Sequence, residues 1–344
     1  MPLALLAPLA LTACRADISS GQFPLAPNEI ETALPTEPPP KLRSDDLPAG
    51  KTELILAATP YLGDVGTIEA FEPVAAAIGK LLGVPVRFRT AKTYAELIDR
   101  TAKGEYDIIQ LSPLSYVLAR ARVPGLRLVA SSLSFGTASY SSFLVVRGDS
   151  EIHSLEDLLP KVRGTRSRPR VALVDERSGS GFLLPYAAFL DHGLDPERDL
   201  DVRLLGSHED AVEAVKRGEA DIAGVSSGTL NSVRRGEVIG PGNLRILFKA
   251  GRLPYDALCV APGLSEDVAR RVASAFARLD TREASGREAL RLARGLTGWI
   301  ATDDERYDVL RTTLERVRAR KWSLWADEVA PSGDATATGA KNGR

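Results

Sequence analysis

Cysteine is almost absent. Cys14 and Cys259 are the two in 344 residues, which excludes a disulfide framework and any cysteine-based zinc centre. A bond between them is not expected, because Cys14 lies in the leader region. Histidine is nearly as scarce: His153, His192 and His208 show no HExxH-like spacing, so no metal site is expected. No excess of one charge exists either, with 44 basic against 45 acidic residues, which gives nucleic acid or an anionic membrane nothing to read overall. Any anion selectivity must therefore come from a local site. No apolar run reaches the roughly 20 residues of a membrane-spanning helix. What is present, 44% hydrophobic and 26% charged residues, suits a globular chain long enough for two domains or one bilobed unit.

The N-terminus departs from this average. Met1 to Ala13 contains no acid or base and ends in Leu11-Thr12-Ala13-Cys14, which resembles a bacterial lipoprotein lipobox. That resemblance implies an exported protein whose Cys14 is lipidated, becomes the first mature residue and holds the body at a membrane surface, in the periplasm or at the cell surface. The basic stretch that normally precedes such a segment is missing, and a buried N-terminal helix is the alternative. Residues 15–50 are rich in Pro, Glu, Ser and Asp, include Pro38-Pro39-Pro40, and predict a disordered tether.

From Thr52 onward short apolar runs alternate with amphipathic stretches, the pattern of an α/β fold. Strands are expected over 53–58, 84–89, 106–111 and 126–132, with helices over 66–82, 94–103 and 114–121 between them. A second series begins near Tyr140, with strands over 141–147, 170–174, 201–205 and 221–225 and helices over 182–192 and 208–217. Strands at 244–249 and 256–261 carry the chain back, and helix is expected over 266–278 and between 285 and 320. This order predicts two α/β lobes joined by a two-segment hinge. Lobe I comprises residues 51–138 plus 256–325 and lobe II 139–250, with a disordered tail at 326–344. Ligands bind in clefts between such lobes.

The strongest local feature is Val174-Asp175-Glu176-Arg177-Ser178-Gly179-Ser180-Gly181-Phe182-Leu183-Leu184-Pro185. A strand, a Gly/Ser turn and a helix start follow one another, so free amides, two hydroxyls and the positive helix end converge on one spot. The glycines allow close backbone approach. Neither a Walker motif nor a GxGxxG fingerprint is present, and alone the turn equally fits an ordinary strand-to-helix connection.

Around it stand further short motifs: Tyr106-Asp107-Ile108-Ile109-Gln110-Leu111-Ser112-Pro113-Leu114-Ser115-Tyr116, Ser139-Tyr140-Ser141-Ser142, Asp157-Leu158, Gly206-Ser207-His208-Glu209, Gly218-Glu219-Ala220-Asp221-Ile222-Ala223 and Pro254-Tyr255-Asp256. In this order and spacing, from about Leu54 to Asp280, the chain resembles the phosphate/phosphite/phosphonate-binding proteins of ABC transporters, which have the type II periplasmic binding fold. The resemblance implies ligand contacts at Tyr94, Tyr140, Ser178, His208 and Asp256, with Gly179 and Ser180 in the loop and Ser112 as a weaker addition. Tyrosine and serine hydroxyls and loop amides donate to phosphoryl oxygens. His208, at a helix start, donates one or two hydrogen bonds according to its charge. Asp256 repels an oxyanion unless the ligand brings an acidic proton or an amine, and it equally fits a turn after Pro254.

Two departures bear on specificity. The family's loop threonine is Gly179 here, and the glutamate that helps bind the amine of aminophosphonates falls near Gly228. Both favour phosphate, phosphite or a small alkylphosphonate. The implied partners are that oxyanion and a transporter permease; no cofactor is called for, and a monomer is expected. An enzyme would need a nucleophile–base pair or a metal set, and neither is evident. A sensor using the same pocket is the other reading. Phe71, Phe182 and Phe189 are expected in the core, Trp299, Trp322 and Trp325 in the packing of the C-terminal part, and Cys259 as a buried, inert thiol.

Overall fold

The computed structural model describes residues 37–159, 168–234, 244–293 and 295–320; Cys14, the start of the tether, Trp322, Trp325 and the C-terminal tail lie outside them. Two sheets account for the strands. The first takes β1 (Leu54–Ala58), β2 (Val86–Phe88), β3 (Ile108–Leu111), β4 (Arg127–Ser134), β10 (Ala257–Val260) and β11 (Leu296–Ile300). Its order is β11-β4-β10-β3-β1-β2, with β1 parallel to β2 and β3, and β10 antiparallel to both β3 and β4. β1 is buried throughout because helices cover both faces of the sheet. Helix α1 (Gly63–Leu82) buries Phe71, Val74 and Ile78 on one face, while α2 (Tyr94–Ala102) and α3 (Pro113–Arg122) cover the other. Gly83, at φ 79°, ends α1 in the left-handed conformation that glycine adopts without steric cost.

The second sheet runs β7-β6-β8-β5-β9 and is built from β5 (Ser139–Arg147), β6 (Arg170–Leu173), β7 (Asp201–Leu204), β8 (Ile222–Ser226) and β9 (Leu244–Pro254). β6 is parallel to β7 and β8, whereas β5 is antiparallel to β8 and β9. Helices α4 (Leu184–Asp191), α5 (Pro196–Asp199), α6 (His208–Lys216) and α7 (Ser227–Arg234) follow the parallel strands. Asp221 fixes the register of β6: one carboxylate oxygen accepts the Arg170 amide at 2.8 Å and the other accepts Arg170 Nη2 at 2.7 Å. The chain passes between the sheets twice, from β4 to β5 and from β9 to β10.

Three sequence expectations change. Residues 41–47 are not free tether. Leu42 and Leu47 are buried against α1, the Leu42 amide bonds Leu82 O, and Asp46 pairs with Arg271 at 2.9 Å. Burying two leucines stabilises this docking by about 3 kcal/mol or more. The helix expected between 285 and 320 is interrupted by β11, where Gly295 and Gly298, at φ 84° and 154°, break the helical path. Its last part, α10 (Asp308–Arg320), was expected in lobe I but lies across to the second lobe. Arg316 and Arg320 pair with Asp191 of α4, and Leu310 joins a core cluster that includes Phe182, Phe189 and Leu253. The remaining helices are α8 (Glu266–Arg278) and α9 (Ala284–Ala289). Phe71, Phe182 and Phe189 are buried as expected. Cys259 is a buried free thiol whose pKa burial raises, so it is unreactive.

Replacing Asp221 by Ala removes the paired bonds that hold the start of β6. Thermal unfolding should fall by a few degrees, corresponding to about 1–2 kcal/mol for a part-exposed charged pair. An unchanged midpoint would show that β6 is held without it.

Candidate ligand-binding cleft

Every parallel strand of both sheets ends at one cavity of about 110 Å³ between the lobes. β1 leads to Tyr61, β2 to Tyr94, β3 to Ser112, β6 to Ser178, β7 to His208 and β8 to Ser226, and all of these residues line it. Helices begin where these strands end, so their free N–H groups and positive dipole ends face the same space. By the measure in which one water needs about 10–15 Å³, the cavity holds several waters or one small ligand. Among the described residues no Lys or Arg lines it, and the lining carboxylates are Asp256 and Glu209. An anion here must be held by neutral donors.

The loop from Ser178 supplies several of them. Its backbone forms a five-residue π-helical turn, Gly179–Leu183, before α4 begins, where the sequence predicts a helix from Phe182 alone. Ser178 Oγ accepts the Gly181 amide at 3.0 Å, which caps the turn and leaves the hydroxyl proton free to point elsewhere. A Cβ on Gly181 would lie 2.3 Å from Val174 Cγ2, and one on Gly224 would lie 2.8 Å from Leu173 Cδ2 and 3.2 Å from Gly181 O. These two glycines let the turn sit directly on β6 and β8. Gly179 is also confined, since a Cβ there would meet Leu310 Cδ2 at 3.1 Å. The tightness of α10 thus goes with the loss of the loop hydroxyl that a threonine would supply.

His208 opens α6, one residue after the N-cap Ser207. The Ser226 amide donates to its Nδ1 at 3.3 Å, and burial lowers its pKa to about 4. The ring is therefore neutral at physiological pH with its proton on Nε2, and it donates one hydrogen bond. Tyr94 and Tyr140 are buried, and burial raises both phenols well above their ordinary value, so both remain protonated donors. Tyr140 stacks on Tyr255 with ring centres 4.7 Å apart, and the Ser180 side chain beside it opposes part of the upward shift of its phenol. Ser112 also lines the cavity, but its hydroxyl donates to Ser115 Oγ at 2.9 Å and its amide to Thr59 Oγ1 at 2.8 Å. Its donors are already engaged.

Asp256 lies in the β9–β10 crossing. Burial raises its carboxyl to about 7, opposed by a hydrogen bond from Gln110 Nε2 at 3.4 Å. Gln110 Oε1 in turn accepts the indole N–H of Trp299 at 3.1 Å. The other crossing, β4 to β5, turns tightly at Phe135 and Gly136, with φ 52° and 74°. Phe135 is the one non-glycine residue with positive φ among those described, a conformation costing about 1–2 kcal/mol. It packs over Gly295 and lines the cavity together with Leu62 and Leu296.

Comparison with known proteins is consistent with this architecture. The profile of a family described as the periplasmic substrate-binding protein of phosphonate ABC transporters matches residues 56–307. The chain belongs to this family. It is 25% identical over 239 residues to the phosphate-import protein PhnD of Mycolicibacterium smegmatis, covering 65% of this chain and 71% of that protein. It is 28% identical over 198 residues to the phosphonates-binding periplasmic protein of Escherichia coli, covering 57% of each. The fold matches PhnD1 from Prochlorococcus marinus, solved with methylphosphonate, at a TM-score of 0.68 and 19% identity over 78% of this chain and 98% of that one. The protein thus has the bilobed type II periplasmic binding fold and belongs to a family of periplasmic substrate-binding transport components, which are not enzymes.

All eight cleft residues singled out in the sequence, Tyr94, Ser112, Tyr140, Ser178, Gly179, Ser180, His208 and Asp256, line the one cavity. Gly228 lines it too and brings no acid, but Glu209, named in the sequence only as part of a motif, does. Sequence reading missed Gln110, Tyr61, Tyr255 and Phe135. Gln110 and Tyr255 lay within quoted motifs, and a strand glutamine beside a serine–proline helix start was the available signal. Nothing local marked Tyr61 or Phe135.

Burial predicts that His208 stays neutral down to about pH 5, and the bond from the Ser226 amide that its proton is on Nε2. Nitrogen-15 NMR of the ring checks this; protonation between pH 6 and 7 would contradict the geometry.

Proposed function

We propose that this protein captures a small phosphorus oxyanion (phosphate, phosphite or a small alkylphosphonate) by closure of its lobes and delivers it to an ABC importer. The observation that carries this reading is a convergence of neutral donors around one proton-sharing acid. The His208 Nε2–H, the Ser178 hydroxyl, the phenols of Tyr94 and Tyr140 and the amides of the Gly179 turn surround a cavity that also holds Asp256. Donors fixed in a buried site bind an oxyanion without the reorganisation that water would require. A carboxyl held at about 7 complements a ligand that ionises near neutrality, because one shared proton removes the repulsion between them. The ligands of the relatives, phosphate, phosphonates and methylphosphonate, support the same reading. Gly228 in place of an acid favours a ligand without an amine, and Glu209 makes an aminoalkylphosphonate the competitor to test.

Calorimetry against phosphate, phosphite, methylphosphonate, 2-aminoethylphosphonate and sulfate tests this. At least one amine-free phosphorus oxyanion should bind, and at 100 times its Kd it should stabilise the fold by about 2.7 kcal/mol. Ser178→Ala and His208→Ala should each weaken that binding by about tenfold or more, the worth of one charge-assisted hydrogen bond. Exclusive binding of the aminophosphonate would assign the amine to the ligand, and unchanged affinity in both variants would overturn the site.

The same reading extends to the N-terminus. We propose that Cys14 is lipidated and tethers the lobes to a membrane surface, on the strength of the lipobox-like Leu11-Thr12-Ala13-Cys14. Cys14→Ser should move the protein from the membrane to the soluble fraction; continued membrane association would refute lipidation.

A further inference from the structure

Gln110 is buried in β3 between two partners that differ in what they accept. The Trp299 indole is a donor only, so the atom facing it at 3.1 Å is the Gln110 carbonyl oxygen. This fixes the amide, with its NH₂ turned toward Asp256 Oδ2 at 3.4 Å. An NH₂ donates, so Oδ2 is held as an acceptor. Any proton on Asp256, or shared between Asp256 and a ligand, then belongs to Oδ1.

We propose that Gln110, clamped by Trp299, is a specificity-determining residue of this cleft: it makes Asp256 a one-sided proton partner, so that the site selects oxyanions able to share one proton with Oδ1 over fully ionised ones such as sulfonates. The inference rests on the oxyanion reading above and deepens it. Two negative groups at hydrogen-bond distance repel unless a proton lies between them. A phosphonate, whose second ionisation falls near neutrality, brings that proton; a sulfonate is a strong acid and brings none. Against Asp256 carboxylate the sulfonate is excluded. Against a neutral Asp256 carboxyl both anions accept a hydrogen bond, and discrimination falls.

Burial drives Asp256 toward the neutral form, and the Gln110 bond opposes it. Removing that bond extends the neutral, unselective form to higher pH. The other ionisable groups around Asp256 do not blur this effect. Tyr61, Tyr94, Tyr140, Tyr255 and Tyr307 are all held above their ordinary value, Tyr255 at about 12, and His208 is neutral. Glu209 is the second carboxylate on the cavity and is tested separately.

The experiment is calorimetry of the full chain with methylphosphonate and with methanesulfonate between pH 5.5 and 8.5 (roughly, to bracket neutrality). In the wild type the preference for methylphosphonate should grow as pH rises through about 7. Gln110→Leu should shift that rise upward by up to about one pH unit, a change of up to tenfold in the preference at fixed pH. Trp299→Phe, which keeps the glutamine but frees its amide to flip, should shift it in the same direction by less. Glu209→Gln should leave the midpoint in place. Carbon-13 titration of the Asp256 carboxyl in ligand-free protein should show the same order of shifts, so a variant that captures ligand poorly still reports. A midpoint unmoved in both Gln110→Leu and Trp299→Phe, or one that moves instead with Glu209→Gln, overturns the inference alone. A wild type that binds no phosphorus oxyanion overturns the reading of the function and this inference with it.

Discussion

An anion that enters this cleft leaves water without meeting a Lys or Arg among the described lining residues. Transfer of a charge into a protein interior costs several kcal/mol unless hydrogen bonds replace its hydration. Here the replacement is architectural. The parallel strands of both sheets end at the cavity, and the helices that follow begin there. Helix starts carry amides with no partner inside the helix, so the strand order decides where donors accumulate. Ser178 caps the π-helical turn and Ser207 caps α6, and the residues that follow them, Gly179, Ser180 and His208, line the cavity. His208 belongs to the same logic: the amide of Ser226, the last residue of β8, sets its tautomer, so one lobe's sheet end determines which ring nitrogen donates.

The crossing segments add a different element. Asp256 and Tyr255 lie in one of them, Phe135 in the other. The acid, its stacked tyrosine and an apolar wall of the cavity therefore sit on the hinge, not on either lobe. Tyr307 reinforces this by donating to Tyr255 O at 3.0 Å, and Tyr116 packs on Tyr307 with ring centres 4.7 Å apart. In the closure proposed for capture, the segment that must bend carries the acid itself. The packing of α10 on α4 ties the same movement to the turn at Gly179.

Much of the fold could be read from local pattern. The alternation of apolar strands with amphipathic helices has its own periodicity, and the Gly/Ser turn after β6 has its own chemistry. What escaped was set by contacts between distant segments. β11 reads as part of a helical region until Gly298 and Trp299 are seen pairing with β4, and the π-helical turn follows from close packing on β8. Residues 41–47 have a tether's composition, but two leucines separated by polar residues suffice to dock them. In the cleft, residues within motifs were legible because type and position together carried meaning. Gln110 was not, since its role depends on an indole 189 positions later in the chain.

The cavity wall is unequal in what it can tolerate. On the lobe II side the turn rests on Gly181 and Gly224, where even a methyl group would collide with Val174 or Leu173. Opposite it stand Leu62 and Leu296 of lobe I and Phe135 of the hinge, apolar side chains that take part in none of the hydrogen bonds described for the oxyanion donors. Evolution therefore has one face on which to work. A lineage can exchange these three residues to fit a larger or smaller organic substituent while the head-group contacts stay as they are, and so diversify its diet without rebuilding its grip.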